Sequence, residues 1–132
     1  AKGSKLYSPE DRNIRPTTDR IKEDIFNTLQ TYIFESDFLD LFSGTGGIGI
    51  EALSRNANSV FFVENSPVSI ELINKNLEKT KLEAKATVVS KSVESFLSTT
   101  NKKFDIIFLD PPYNYNDLNQ LLNCVVERNI LN

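Results

Sequence analysis

Short apolar runs alternate with segments of helical periodicity along this chain, and few folds accept that order. Residues 38–42, 60–63, 87–89 and 104–109 read as strands, three of them as nearly unbroken apolar runs of the kind buried on both faces of a sheet. Between and around them lie segments of helical character at about 47–55, from Ser66 to Leu77, at 93–97, and a last one marked by Leu118, Leu121, Leu122, Val125 and Val126. Strand, helix, strand in sequence is the pattern of a parallel sheet with crossover helices, so the chain is expected to be a Rossmann-like α/β fold. At 132 residues it is expected to hold one domain, over 16–132, behind a basic arm at 1–22.

Local signals fix several boundaries. Pro16 restricts Arg15 to extended conformations and Thr17 or Thr18 can cap, so a helix of about three turns should follow, with Ile21, Ile25 and Leu29 on its apolar face and Phe26 beside them. Asn56 tolerates the left-handed conformation used just past helix ends. Ser66 is placed to cap the next helix, with Pro67 at its first position and Leu72, Ile73 and Leu77 as its buried stripe. Pro111 and Pro112 cannot continue a strand ladder and so end the fourth strand.

Gly44-Thr45-Gly46-Gly47-Ile48-Gly49 joins the first strand to the second helix, where glycines permit a tight turn and close approach of backbone amides to a ligand. The same residues satisfy the dinucleotide-binding spacing, and Glu64 stands where such folds place a ribose-binding acid, so a nicotinamide dehydrogenase is one reading. Asp40, just before Leu41-Phe42-Ser43 and the first glycine, favours another, because an acid there suits a cationic ligand better than a pyrophosphate. S-adenosylmethionine fits that demand: it lacks phosphate and carries an ammonium, a sulfonium and a ribose. Asp40 would meet the ammonium, directly or through water, and Glu64 the ribose hydroxyls. Phe42, Ser43, Gly44, Gly46, Gly49 and Asn65 complete the expected pocket, with Ser92 and the Val93 amide at the adenine ring. Phe96 is expected in the core and Glu51 as a solvated or helix-capping charge.

Asp110-Pro111-Pro112-Tyr113 closes the fourth strand, where ligands bind in open α/β sheets. An exocyclic amino group on a nucleobase is a poor nucleophile because its lone pair is delocalised into the ring. The Asp110 carboxylate and the Pro111 carbonyl can each accept one of its hydrogens and turn the lone pair towards an electrophilic methyl. Pro112 stiffens the loop, and Tyr113 offers a stacking face for an extruded base. These four are the candidate catalytic residues. Asn114, Tyr115 and Asn116 read as a polar loop.

Composition narrows the alternatives. With no histidine, any acid–base chemistry falls to carboxylates, backbone groups, Tyr, Lys or a cofactor, and no metal site is expected. One cysteine, Cys124, excludes a disulfide framework, and no apolar run approaches the roughly 20 residues of a membrane helix, so a soluble, cytoplasmic, monomeric protein is expected. The net charge of −3 is uneven: residues 1–22 carry six basic against three acidic side chains. Lys2, Lys5, Arg12, Arg15 and Arg20 are therefore candidate contacts to a phosphate backbone, which the family resemblance given below makes that of RNA, with Thr17 beside them.

With these residues assembled, the chain resembles the RsmD family of bacterial methyltransferases that modify the 2-amino group of a guanine in small-subunit (16S) ribosomal RNA. The resemblance rests on Arg15-Pro16-Thr17-Thr18-Asp19-Arg20, Ile25-Phe26-Asn27, Asp40-Leu41-Phe42-Ser43-Gly44-Thr45-Gly46, Glu51-Ala52-Leu53-Ser54-Arg55, Glu64 and Asp110-Pro111-Pro112-Tyr113. It implies a class I S-adenosylmethionine-dependent fold, a ribosomal RNA or assembling-subunit substrate, and a place near the active site for Arg15, Thr17 and Arg20. Ser4 stands where a basic residue is usual, Ser92 where Asp or Asn is usual, and Asn56 where glycine is usual. The family's sheet continues with a fifth strand, a helix and a hairpin, so the chain is expected to be C-terminally truncated, with its fourth strand a bare edge and its activity impaired. Adenine 6-amino methylation of DNA or RNA, and a noncatalytic RNA-binding or assembly module, are the other readings.

Overall fold

The computed structural model describes residues 19–111 and 118–132. Among the described residues five helices and four strands alternate: α1 (Asp19–Ile33), β1 (Asp37–Leu41), α2 (Gly47–Ser54), β2 (Ser59–Glu64), α3 (Pro67–Thr80), β3 (Ala86–Ser90), α4 (Val93–Thr99), β4 (Ile106–Leu109) and α5 (Leu118–Glu127), with one 3-10 turn before β3. All strand pairs are parallel and the order is β3-β2-β1-β4, so the fold is the Rossmann-like α/β arrangement expected from the alternation. The chain leaves β1 towards β2 on one side and returns to β4 on the other. The strand order therefore reverses beside β1, where open α/β sheets place their ligands.

Side-chain alternation along each strand builds two cores. Phe38, Val60 and Phe62 point to one face and pack with Phe26 and Ile33 of α1, Ile48 to Leu53 of α2, and Ile73 and Leu77 of α3. Leu39, Leu41 and Val63 point to the other and meet Val93, Phe96 and Leu97 of α4 and Leu121 of α5. Phe96 is thus core, in a ring cluster with Phe61 and Phe104.

The signals at the end of α2 and the start of α3 hold. The Ser66 hydroxyl accepts from the Ser69 N–H with Pro67 at the first turn, and Asn56 takes a left-handed φ of 70° just beyond α2. The face of α1 differs from the expected one. Ile21 is 53% exposed, whereas Phe26 and Ile33 are buried, Phe26 stacking on Phe38 at 6.3 Å. The stripe runs through Phe26, Leu29 and Ile33 because the helix continues a full turn past Leu29. Leu72 is only half-buried, and Asn76 takes its place in the buried face of α3.

β4 lies at one edge of the sheet but is not bare along its whole approach. Phe104 bridges Leu131 in parallel, its N–H donating to the Ile130 carbonyl at 2.9 Å and its carbonyl accepting from the Asn132 N–H at 2.9 Å. Beyond that bridge an apolar cleft of about 320 Å³ opens between β4 and α5, lined by Leu41, Leu97, Ile107, Leu109, Leu121 and Val125 among others.

Candidate active site

The loop after β1 is shaped by two left-handed glycines. Gly44 has φ 58° and Gly46 has φ 84°, values that glycine adopts without a Cβ penalty, and α2 starts directly after Gly46. Gly49 serves a different need. A Cβ there would lie 2.3 Å from Phe62 Cε2, so this position lets α2 press onto β2.

The loop amides are already engaged by the protein. The Gly44 N–H donates to Glu64 Oε1 at 3.0 Å, the Gly46 N–H to the Ser43 carbonyl at 2.9 Å, and the Gly49 N–H to Asp40 Oδ2 at 3.2 Å. Glu64 uses its second oxygen for the Ser66 N–H at 3.1 Å, and the Asn76 amide donates to the Thr45 carbonyl at 3.1 Å. A pyrophosphate would need those amides free, and it would face carboxylates. The arrangement therefore disfavours the dinucleotide reading. Asn76 was not singled out in the sequence; a polar residue inside the apolar stripe of α3 was the only sign of it.

Three carboxylates converge at the ends of β1, β2 and β4. Leu41 pairs with Val63 and with Leu109, so Asp40, Glu64 and Asp110 come from adjacent strands within two residues of the same level. Asp40 is buried beneath the glycine loop, at 1% exposure. Burial raises its pKa from 3.8 to about 7; the Gly49 amide opposes that rise, and the nearby Glu64 and Asp110 charges add to it. Asp40 thus braces the loop from inside rather than presenting an open face, and any contact with a ligand ammonium would be indirect. Glu64 is half-buried, and each of its oxygens keeps a lone pair for a further donor.

Burial of Asp40 has a consequence for stability. Its folded pKa lies above its unfolded value, so the folded state holds the proton more tightly. The stabilisation relative to the unfolded chain is full below about pH 4 and is lost as pH rises towards 7. Asp40→Asn keeps an acceptor for Gly49 without the charge. Its thermal midpoint relative to wild type should therefore rise between pH 4 and pH 8; a pH-independent difference would show that Asp40 is not buried as a charge.

The other expected site residues divide. Ser92 caps α4, its hydroxyl accepting from the Ser95 N–H at 3.1 Å, and Val93 is buried in the α4 core. The Ser92 oxygen is therefore partly committed to the helix. Asn65, next to Glu64, is exposed, Phe42 is half-buried and Ser43 is buried, its hydroxyl donating to the Asp40 carbonyl at 2.7 Å. Asp110 and Pro111 are half-buried beyond β4. Arg20 is exposed on the first turn of α1. Pro112, Tyr113, Asn114, Tyr115 and Asn116, and Lys2, Ser4, Lys5, Arg12, Arg15, Thr17 and Thr18, lie outside the described residues.

Glu51 is the clearest correction. It is neither solvated nor a cap: it is 6% exposed and paired with Arg55 Nε at 2.7 Å. Among the described residues no group of three or more acids or cysteines forms a metal site, and no helix is long and apolar enough to cross a membrane.

The glycine loop, Glu64 and Asp110 lie at the C-terminal ends of three neighbouring strands. The model of the family described as Conserved hypothetical protein 95 matches residues 1–132. The chain belongs to this family, the RsmD family. Among relatives of this RsmD-family chain, the ribosomal RNA small subunit methyltransferase D of Haemophilus influenzae is 39% identical over 133 residues, covering 98% of this chain and 69% of the relative. The protein of the same name from Escherichia coli is 37% identical over 122 residues, covering 92% of this chain and 61% of its own length. The solved structure of the Escherichia coli protein yhhF superposes with a TM-score of 0.88 at 34% identity, covering 98% of this chain and 70% of that one.

Proposed function

We propose that this chain is the cofactor-binding and catalytic portion of an S-adenosylmethionine-dependent methyltransferase acting on the 2-amino group of a guanine in small-subunit ribosomal RNA. The observation that carries the reading is the convergence of Asp40, Glu64 and Asp110 at the strand ends, around a glycine loop whose amides are committed to carboxylates and carbonyls. Such a site suits a ligand with positive charge and hydroxyl donors rather than phosphates. The names of the Haemophilus influenzae and Escherichia coli relatives support ribosomal RNA as the substrate.

Glu64 would hold the cofactor's ribose through the oxygens it already directs at the loop, with Gly44 and Gly46 giving close backbone approach. The cofactor would supply an electrophilic methyl group. The work left to the protein is orientation. The Asp110 carboxylate and the Pro111 carbonyl would each accept a hydrogen of the guanine 2-amino group, fixing its rotation so that the nitrogen lone pair is directed at the methyl carbon. Transfer would exchange the cofactor's S–CH3 bond for the new N–C bond and release the neutral thioether, and Asp110 would take the proton that the amino group then loses. Positioning of this kind can supply several kcal/mol of barrier lowering. Tyr113 would stack on the extruded base, while Lys2, Lys5, Arg12, Arg15, Thr17 and Arg20 would contact the RNA backbone.

The test uses the full-length protein, unmodified small ribosomal subunits and methyl-labelled cofactor. After digestion to nucleosides the label is expected in N2-methylguanosine. Label in N6-methyladenosine would transfer the reading to adenine, and no label would overturn methyl transfer.

A further inference from the structure

Asn76 has no part in the mechanism above, yet it lies in the buried stripe of α3 between Ile73 and Leu77 and is itself fully buried. An amide buried among apolar side chains costs free energy unless it is hydrogen-bonded. Its Nδ2 donates to the Thr45 carbonyl at 3.1 Å, a partner 31 residues earlier in the chain. The same face of α3 supports the loop sterically, since a Cβ on Gly46 would lie 3.2 Å from Ile73 Cγ1. Two neighbouring positions of one helix stripe therefore bear on the glycine loop.

The bond matters because of where Thr45 stands. Phe42, Gly44 and Gly46 have φ of 57°, 58° and 84°, so the chain leaving β1 turns left-handed at three residues out of five, once at an aromatic residue for which that conformation is strained. Such a path is kept only where the surroundings hold it. Thr45 supplies the carbonyl, and Gly46 the N–H, of a single peptide unit. The N–H donates to the Ser43 carbonyl at 2.9 Å while the carbonyl accepts from Asn76, so the unit is held at both ends. A planar peptide cannot turn one end without the other. Without the Asn76 donor the Thr45 oxygen would face an apolar stripe, and glycine at 46 would let the peptide rotate until that oxygen found water. Elsewhere the loop is tied to Glu64: the Gly44 N–H donates to Oε1 at 3.0 Å, and Oε2 accepts from the Ser66 N–H, the residue that caps α3. α3 is thus joined to Glu64 at its start and to the Thr45–Gly46 peptide from its third turn.

We infer that Asn76 is a positioning residue for cofactor binding: from α3 it fixes the Thr45–Gly46 peptide and so holds the glycine loop in place against Glu64. This rests on the reading of that loop and Glu64 as the S-adenosylmethionine site. The cofactor would meet a loop already in its binding form, and a loop only partly in that form binds with an affinity reduced by the populated fraction.

The test compares Asn76→Leu, of similar size but without a donor, with Leu77→Ala, which opens a cavity one residue along the same helix and leaves the bond to Thr45 in place. In the full-length protein Asn76→Leu should raise the Kd for S-adenosylmethionine about tenfold by titration calorimetry, the scale of one bond lost from a buried carbonyl. Its kcat at saturating cofactor and its KM for ribosomal subunits should stay within about twofold of wild type. Hydrogen exchange of the Gly46 amide, followed by NMR, should accelerate in the free variant and return towards the wild-type rate once cofactor is bound. Leu77→Ala should lower the thermal midpoint at least as far while leaving the Kd within about twofold of wild type. Asn76→Ser, which presents a shorter donor in the same space, should weaken binding in the same sense but less, and it decides the matter if Asn76→Leu does not fold. An unchanged Kd in the Asn76 variants, or an equal rise in Leu77→Ala, overturns the positioning role. Failure of wild-type protein to bind S-adenosylmethionine at all would instead overturn the functional reading.

Discussion

Asp110→Ala should lower methyl transfer to ribosomal subunits by about 10²- to 10³-fold, the range for losing a positioned proton acceptor, while cofactor binding measured by titration calorimetry changes little. Asp110 follows Leu109, which pairs with Leu41, so its carboxylate enters the site from the strand beside the glycine loop and on the side away from Glu64. Ribose contacts would therefore survive its removal, and the loss should fall on kcat. Asp110→Asn keeps one acceptor oxygen but places an amide beside the substrate amine and cannot take a proton, so it should recover only part of the rate. A variant lacking the carboxylate that retained full kcat would remove Asp110 from the mechanism. It would then favour a noncatalytic role if RNA-dependent function also persisted.

The second large effect is on folding. Gly49→Ala should destabilise the protein by about 2–3 kcal/mol, the upper part of the range for overpacking a core, read as a lower urea midpoint with an unchanged slope. The added methyl would lie 2.3 Å and 2.7 Å from Phe62 Cε2 and Cζ and 2.9 Å from Val60 Cγ1. Both neighbours are fully buried, and the Phe62 ring has no exposed side to move into. Alanine's advantage over glycine inside a helix, about 1 kcal/mol, works in the opposite direction and is too small to win. Combining the change with Phe62→Leu should restore part of the loss by making room. If Gly49→Ala proved neutral alone, α2 and β2 would not be in the close contact described.

Much of the architecture was legible because its signals are local. Ser66-Pro67 announced α3, Asn56 the end of α2, and the apolar runs the four strands, each to within a residue or two. The carboxylates of the site were legible for a related reason: their places at strand ends follow once the strands are known. What escaped was decided by packing between distant segments. Glu51 and Arg55 sit four apart, a spacing that looks the same on a solvated helix as on a buried one, and only the placement of α1 over α2 distinguishes the two. Asn76 escaped likewise, because its partner is a loop carbonyl 31 residues earlier. The face of α1 was misread since Ile21, Ile25 and Leu29 satisfy a helical period as well as Phe26, Leu29 and Ile33 do. Stacking of Phe26 on Phe38 chose between them. Ser92 was read by position as a ligand contact, but a serine before a helix is equally a cap.

The glycine loop reaches its shape through bonds made within the chain. Gly44, Gly46 and Gly49 have their amides satisfied by Glu64, Ser43 and Asp40. The conformational entropy of those unusually free residues is therefore lost when the protein folds, and not again at each encounter with a ligand. Were the proposed cofactor to bind here, its affinity would reflect the contacts it makes, with little deducted for ordering this loop.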